Sequence, residues 1–355
     1  MALYSTRVSY VFAALIVGIL ILLHEAGHYL VARWTRMRVV RFSVGFGPAV
    51  VKWQPKGSET TFQISAIPLG GYVQIAGMDP SDRPSHPEAA PDPARYDQKS
   101  VLARLGVIAA GPLTNFLTAA VAFAVLYGIG FPHPSDDPLL GDVPQGKPAY
   151  QAGLRPGDRV LSIDGREVPT WEALAKATGT SKGRPMRIRV TRGGAVREFV
   201  VTGRPDARSD RWLVGIGPKT EYEYKSFAGA IGTGFAHAGI ATLALFWQIG
   251  SALFGDGHAD FMGPVGIVEM AGEHVDRGAR EILLFVAGLS IGLFGLNFLP
   301  LPALDGGRLV FLGYEALVRR RVSPKFEYAV HAIGLVFLLG LLVVVTFRDI
   351  LLAGG

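Results

Sequence analysis

Four long apolar windows set the limits on what this chain can fold into. A helix rising 1.5 Å per residue needs about 20 apolar residues to cross a bilayer core. Val8 to Ala32, Gly106 to Gly130, Ile282 to Leu304 and Tyr328 to Phe347 all meet that length, and Glu25 is the one charged residue inside them, with His counted as neutral. Asp305 follows directly on the third window. The overall balance agrees: 49% of residues are hydrophobic and 18% charged, against about 25% charged in soluble domains. The chain has no cysteine, which excludes disulfides, thiol catalysis and thiolate-held metals. Arg7 before the apolar stretch Val11 to Leu23 has the look of a secretory signal. However, His24-Glu25-Ala26-Gly27-His28 follows where small cleavage-site residues would be needed, so a retained helix is expected.

Basic flanks orient the windows, because cytoplasmic flanks are enriched in Lys and Arg. Arg33, Arg36, Arg38 and Arg41 follow the first; Lys99 and Arg104 precede the second; Arg308, Arg319, Arg320, Arg321 and Lys325 lie between the third and fourth. Four spans with both ends outside satisfy these flanks and put residues 131 to about 280 on the exterior. A further stretch, Ile231 to Phe254, is apolar but interrupted by His237, Gln248 and glycines. It is expected as an amphipathic helix lying on or dipping into the membrane, since a fifth crossing would invert the third and fourth spans. Residues 39–78 alternate and carry turn signals, predicting short membrane-associated strands or hairpins. Residues 79–98 are rich in Pro, Ala, Asp and Ser and are expected to form a flexible linker. The expected organisation is a membrane part at 1–130, an exterior domain at 133–220, a membrane-associated segment at 221–280 and a second membrane part at 281–355.

His24-Glu25-Ala26-Gly27-His28 is an HExxH motif on a helix. Residues four apart stack one turn apart, so two imidazoles can share a zinc ion while Glu25 flanks its water. Ionisable groups inside a span are costly and are by default functional. Catalytic zinc keeps three protein ligands and one open position, so a third donor is required. The third window ends Asn297-Phe298-Leu299-Pro300-Leu301-Pro302-Ala303-Leu304-Asp305-Gly306-Gly307. Its prolines and glycines break the helix at membrane depth, which is tolerated where backbone lines protein or a wet cavity. Asp305 sits on that break and is the best-placed third ligand. His86, His133, His237, His258, His274 and His331 lack a partner at ligand spacing.

With these motifs the chain resembles the site-2 protease family of intramembrane zinc metalloproteases, in its bacterial regulated-proteolysis branch. Ile67-Pro68-Leu69-Gly70-Gly71-Tyr72-Val73, Gly111-Pro112-Leu113-Thr114-Asn115 and Gly263-Pro264-Val265-Gly266-Ile267 are similar to further recurring segments of that family. The resemblance implies one Zn2+ held by His24, His28 and Asp305, with Glu25 as catalytic base. It also implies that Asn297 and the strand around Gly70 and Gly71 hold an extended substrate, with Asn115 either a substrate contact or a packing residue. Residues 149–165, from Ala149 through Gly153-Leu154 and Gly157-Asp158 to Gly165, resemble a PDZ domain of the bacterial protease type, a module that captures extended peptides or carboxyl termini by strand addition. The implied fold is a polytopic α-helical membrane protein of about four spans, with a membrane-associated β-hairpin region and one inserted α+β PDZ domain.

The implied function is an endopeptidase of the bacterial inner membrane, working near the cytoplasmic side with its PDZ domain outside. Its expected partners are the lipid bilayer and single-pass substrates such as anti-sigma factors or remnant signal peptides. A PDZ-based membrane scaffold with a vestigial metal site is the alternative. Zinc transport would want acidic residues along a path, and the second and fourth windows have none. The formal charge of +6 does not point to nucleic acid, because Asp137 to Lys219 alone holds 15 basic and 9 acidic residues. The excess belongs to one exterior domain's surface.

Overall fold

The computed structural model describes residues 2–79, 92–205, 212–255 and 263–353; His86 and His258 lie outside these. In chain order the elements are α1 (Ala2–Trp34), β1 (Val39–Trp53), β2 (Thr61–Ile75), α2 (Val101–Ile129), β3 (Phe131–Pro134), β4 (Leu140–Asp142), α3 (Pro148–Gln151), β5 (Arg159–Ile163), β6 (Arg166–Glu167), α4 (Trp171–Gly179), β7 (Pro185–Arg192), β8 (Ala195–Thr202), β9 (Arg204–Pro205), β10 (Trp212–Leu213), β11 (Gly217–Pro218), β12 (Thr220–Glu223), α5 (Phe227–Phe254), α6 (Pro264–Arg277), α7 (Ala279–Phe298), α8 (Asp305–Val318) and α9 (Pro324–Ala353). They form two units, Met1–Gly128 with Ser226–Gly355, and Ile129–Lys225.

In the first unit five helices are long and apolar enough to cross a membrane: Ala14–Trp34, Val101–Ile129, Phe227–Ala252, Ala279–Phe298 and Pro324–Asp349. Four coincide with the apolar windows. The third ends at Phe298, short of 304, because Pro300 and Pro302 follow and cannot continue it. Helix α9 exposes Val336, Phe337, Val343 and Val344. Hydrocarbon covers such a surface without cost; water does not.

The fifth candidate, α5, covers the stretch expected to lie on or dip into the membrane, and it too is long and apolar enough to cross one. It is one unbroken helix, and two of its supposed interruptions, His237 and Gly234, meet α2. His237 stacks on Phe123 at 4.1 Å and lies 3.0 Å from the Tyr127 hydroxyl. Gly234 meets α2 so closely that a Cβ there would lie 2.6 Å from the Ala124 nitrogen. Further along, Leu245 fills the space at Gly295 and Phe246 meets Phe294. Helix α5 therefore runs from the C-terminal end of α2 toward the C-terminal end of α7. Helix α6 then returns part of the way, forming a hairpin with α7 through Gly278. Its Ala271 shares a small core with Phe285 and Ile16, and His274 lies 3.0 Å from a Glu281 carboxylate oxygen. Because α6 returns, α7 runs in the same direction as α5, and no inversion of α7 or α9 follows.

Strands β1 and β2 are both bent. The first half of β1 lies between the two halves of β2, with Phe42 opposite Val73 on one side and Phe62 on the other. Residues 71–75 thus form one edge, and 49–53, paired with 62–65, form the other. Tyr29 of α1 packs on Phe42 and Phe62 at 5.6 and 5.7 Å, docking the sheet one residue after His28. A buried network inside the sheet links Gln63 to the hydroxyls of Ser43 and Ser65 at 3.1 and 3.0 Å. The expected linker 79–98 is ordered in its described part. Tyr96 is buried, and its N–H donates to the Ala76 carbonyl at 2.8 Å.

The second unit is built on an antiparallel sheet in the order β6-β5-β7-β8. Leu140, Leu154, Leu174, Ile188 and Val190 form its core. The fully buried Asp158 takes two bonds from Arg192 at 2.6 and 2.7 Å and one from the Arg155 N–H at 2.9 Å, so no charge is left unmatched. Thr170 caps α4 by accepting from the Ala173 N–H. Residues 212–218 hold two short strands, β10 paired with β9 and β11 paired with β4.

Candidate metal centre

The HExxH motif lies well inside α1, where four-residue spacing brings His24 Nε2 within 3.2 Å of His28 Nε2. The two imidazoles meet edge to face, with ring centroids 4.8 Å apart. Asp305 arrives from the first position of α8, its Oδ2 3.1 Å from His24 Nε2 and 3.3 Å from His28 Nε2. Local sequence explains that reach. After Pro300 the chain turns sharply, with Leu301 N–H donating to the Leu299 carbonyl and Ala303 in the left-handed region at φ 70°. A Cβ at Gly306 would lie 2.6 Å from the Leu299 carbonyl carbon, and one at Gly307 would lie 3.0 Å from that of Leu301. Only glycines let α8 start folded back on its own approach.

Helix α2 supplies the rest of the setting. Gly27 is in such close contact with α2 that a Cβ would lie 2.9 Å from the Ala110 carbonyl carbon. Across from it, a Cβ at Gly111 would overlap His28 Nε2 and lie 2.8 Å from His24 Nε2. His28 Nδ1 donates to the Val107 carbonyl at 2.7 Å, leaving Nε2 with its lone pair toward His24 and Asp305. The Asn115 side-chain amide, fully buried, lies 3.1 Å from His24 Nδ1. For His24 Nε2 to be a metal donor, Nδ1 must carry the proton, and a half-turn of the amide turns the Asn115 oxygen to accept it. That oxygen has no other partner among the described residues.

Glu25 faces strand β2. Its Cγ would lie 3.2 Å from a Cβ at Gly71, and its carboxylate takes a hydrogen bond from the Val73 backbone. Gly70, at φ 94°, leaves room for the Phe46 ring. Asn297 is one residue from the end of α7, where its amide donates to the Leu293 carbonyl at 3.0 Å. The structure thus brings His24, His28 and Asp305 together, sets Glu25 and Gly71 beside one another, and places Asn115 behind His24. Gly111 stood out in the sequence only as part of the segment Gly111–Asn115, and nothing local showed that it faces the two histidines.

The three donors suit zinc. Zinc–ligand bonds of about 2.0–2.2 Å put the corners of its tetrahedron roughly 3.3–3.5 Å apart, and the observed triangle has edges of 3.1, 3.2 and 3.3 Å. Asp305 Oδ2 is buried and has no hydrogen-bond partner, as a ligand atom would be. Burial alone would raise the Asp305 carboxyl, but His24 and His28 outweigh it and hold it well below the ordinary range, so it stays a carboxylate.

Comparison with known proteins agrees. The profile of peptidase family M50 matches residues 12–341. A protein of Synechocystis is 35% identical over 349 residues, covering 95% of this chain and 93% of its own. One from Agrobacterium fabrum, named as a candidate zinc metalloprotease, is 32% identical over 356 residues, covering 95% and 94%. The zinc metalloprotease RasP of Geobacillus kaustophilus is 29% identical over 409 residues, covering 94% and 95%. With His24 and His28 on a membrane-length helix and Asp305 completing a centre of zinc dimensions, the chain belongs to peptidase family M50, the site-2 protease family of membrane zinc metalloendopeptidases.

Proposed function

We propose that the protein cleaves transmembrane segments of single-pass proteins in regulated intramembrane proteolysis, with His24, His28 and Asp305 as zinc ligands and Glu25 as general base. The observation that carries this reading is the close approach of Glu25 to Gly71, on the strand edge at 71–75. Zinc in such a centre polarises a carbonyl and acidifies water. Glu25 takes the proton from the attacking water and returns it to the leaving amine. A substrate helix hides its peptide bonds within its own hydrogen bonds and must unwind before attack. Pairing with 71–75 compensates the groups it frees, and the missing side chain at Gly71 keeps that edge close to Glu25. In this reading Asn297, at the end of α7, helps to hold the extended substrate.

The arginines after α1 and between α8 and α9 argue that the centre lies toward the cytoplasm, and the unit Ile129–Lys225 outside. In that unit Gly153-Leu154 and Gly157-Asp158 precede β5, the pattern of a bacterial protease PDZ domain. Its role is to receive an extended peptide or carboxyl terminus. Anti-sigma factors and remnant signal peptides fit as substrates, being short single-pass chains. Mass mapping of products from a reconstituted single-pass substrate tests this reading. New termini inside the apolar stretch, increased by a helix-weakening Gly pair there, are expected; cuts confined to the aqueous flanks would refute it.

A further inference from the structure

A second polar cavity, of about 220 Å³, opens where α2 and α9 begin, beside the buried Tyr96 and along one face of α8. Both helices are membrane-length, and Arg104 and Glu327 lie three residues from their starts. The cavity therefore sits at the boundary between hydrocarbon and water, the level of lipid headgroups. Its charges are mostly matched. Arg104 grips both oxygens of Glu315 at 2.9 and 2.6 Å; Arg321 bonds Glu315 at 3.0 Å and the Asp97 carbonyl at 2.6 Å; Arg95 pairs with Asp97 at 3.0 Å.

Three donors remain. Arg308 is half-buried and has no ion pair or hydrogen bond among the described residues, yet it acts electrostatically on both Tyr96 and His331. His331 Nδ1 accepts the Ala303 N–H at 2.8 Å, so Nε2 carries the proton, and that buried atom has no acceptor. Burial pushes the Tyr96 phenol up to about 12, keeping it an O–H donor. A guanidinium, an imidazole N–H and a phenol line one cavity whose carboxylates Glu315 and Asp97 are already taken by arginines, while Glu327 has no ion pair among the described residues. An unsatisfied buried donor such as His331 Nε2 is costly and marks a missing partner.

We propose that this cavity binds the phosphate of a phospholipid headgroup, held by Arg308, His331 and Tyr96. Glu327 on the same wall disfavours a free dianion and suits a singly charged phosphodiester bearing an ammonium, as in phosphatidylethanolamine. The site bears on the zinc centre. Arg308 is one turn after Asp305 on α8, and His331 holds the turn that leads into it. An occupied cavity therefore fixes the Asp305 turn from both ends.

The test uses the full chain in a maltoside detergent and phosphate-free buffer, following Tm and bound lipid by native mass spectrometry. Phosphatidylethanolamine is expected to bind and raise Tm by several degrees in wild type and in Arg320→Gln, a basic change outside the cavity. The shift should vanish in Arg308→Gln and shrink in Tyr96→Phe, which keeps the ring and serves if the arginine variant fails to fold. An equal Arg308-dependent shift with inorganic phosphate alone would support the phosphate site and name free phosphate as its source. A shift that survives both substitutions, that diacylglycerol reproduces, or that never occurs would overturn the proposal.

Discussion

Gly111 of α2 is in contact with His28 of α1, and a single methyl group there would overlap the His28 Nε2 that faces Asp305. Gly111→Ala is therefore expected to push the imidazoles apart and lower zinc affinity at least as much as loss of an outer-shell partner, about 10–100-fold. Gly128→Ala, on the same helix with open space around it, should leave zinc affinity unchanged. Competition against a calibrated chelator measures both.

Asn115 orients His24 from behind. Asn115→Ala is expected to weaken zinc binding by about 10–100-fold, while Asn115→Asp, which keeps an acceptor, should retain most of it. A pure packing role would make the two variants fail alike.

Arg104 and Glu315 tie α2 to α8 with both side chains largely buried. Arg104→Ala should cost less than the roughly 3–5 kcal/mol of an orphaned buried charge, because Arg321 still bonds Glu315 at 3.0 Å. Burial alone would raise the Glu315 carboxyl, but Arg104 and Arg321 outweigh it and hold it below the ordinary range. A depressed carboxylate stabilises the fold fully above its unfolded pKa of about 4.3, and that contribution is lost as pH falls through the lower folded value. Wild type should lose Tm steeply below about pH 4.3, and Glu315→Gln, already weaker at neutral pH, should lose less. Melting curves across that range decide it.

Helix α5 is expected to be shielded by lipid and by its neighbours. Since the chain has no cysteine, Leu245→Cys gives a single label site facing Gly295. A membrane-impermeant maleimide should fail to reach it from either side in vesicles; labelling from one side would return α5 to the membrane surface.

The zinc motif could be read in the sequence because chemistry constrained it. HExxH needs fixed spacing, and acids at membrane depth are rare, so Glu25 and Asp305 stood out. What could not be read depended on partners distant in the chain. His237 looked like an interruption in an apolar stretch until Tyr127 and Phe123 met it, and Gly234 looked like a weak helix residue until α2 occupied its bare face. The return of α6, which leaves α7 pointing the same way as α5, has no local signature. Nor did Tyr96 and its neighbours, in a segment whose Pro-rich composition resembled a linker.

Cleavage of a reconstituted single-pass transmembrane substrate by Glu25→Gln, beside wild type at matched zinc content, tests the central claim most directly. Glu25→Gln should bind about one zinc per chain as wild type does and cleave about 10²–10⁴-fold more slowly, the loss expected for a missing general base. Equal cleavage by the two proteins would contradict it.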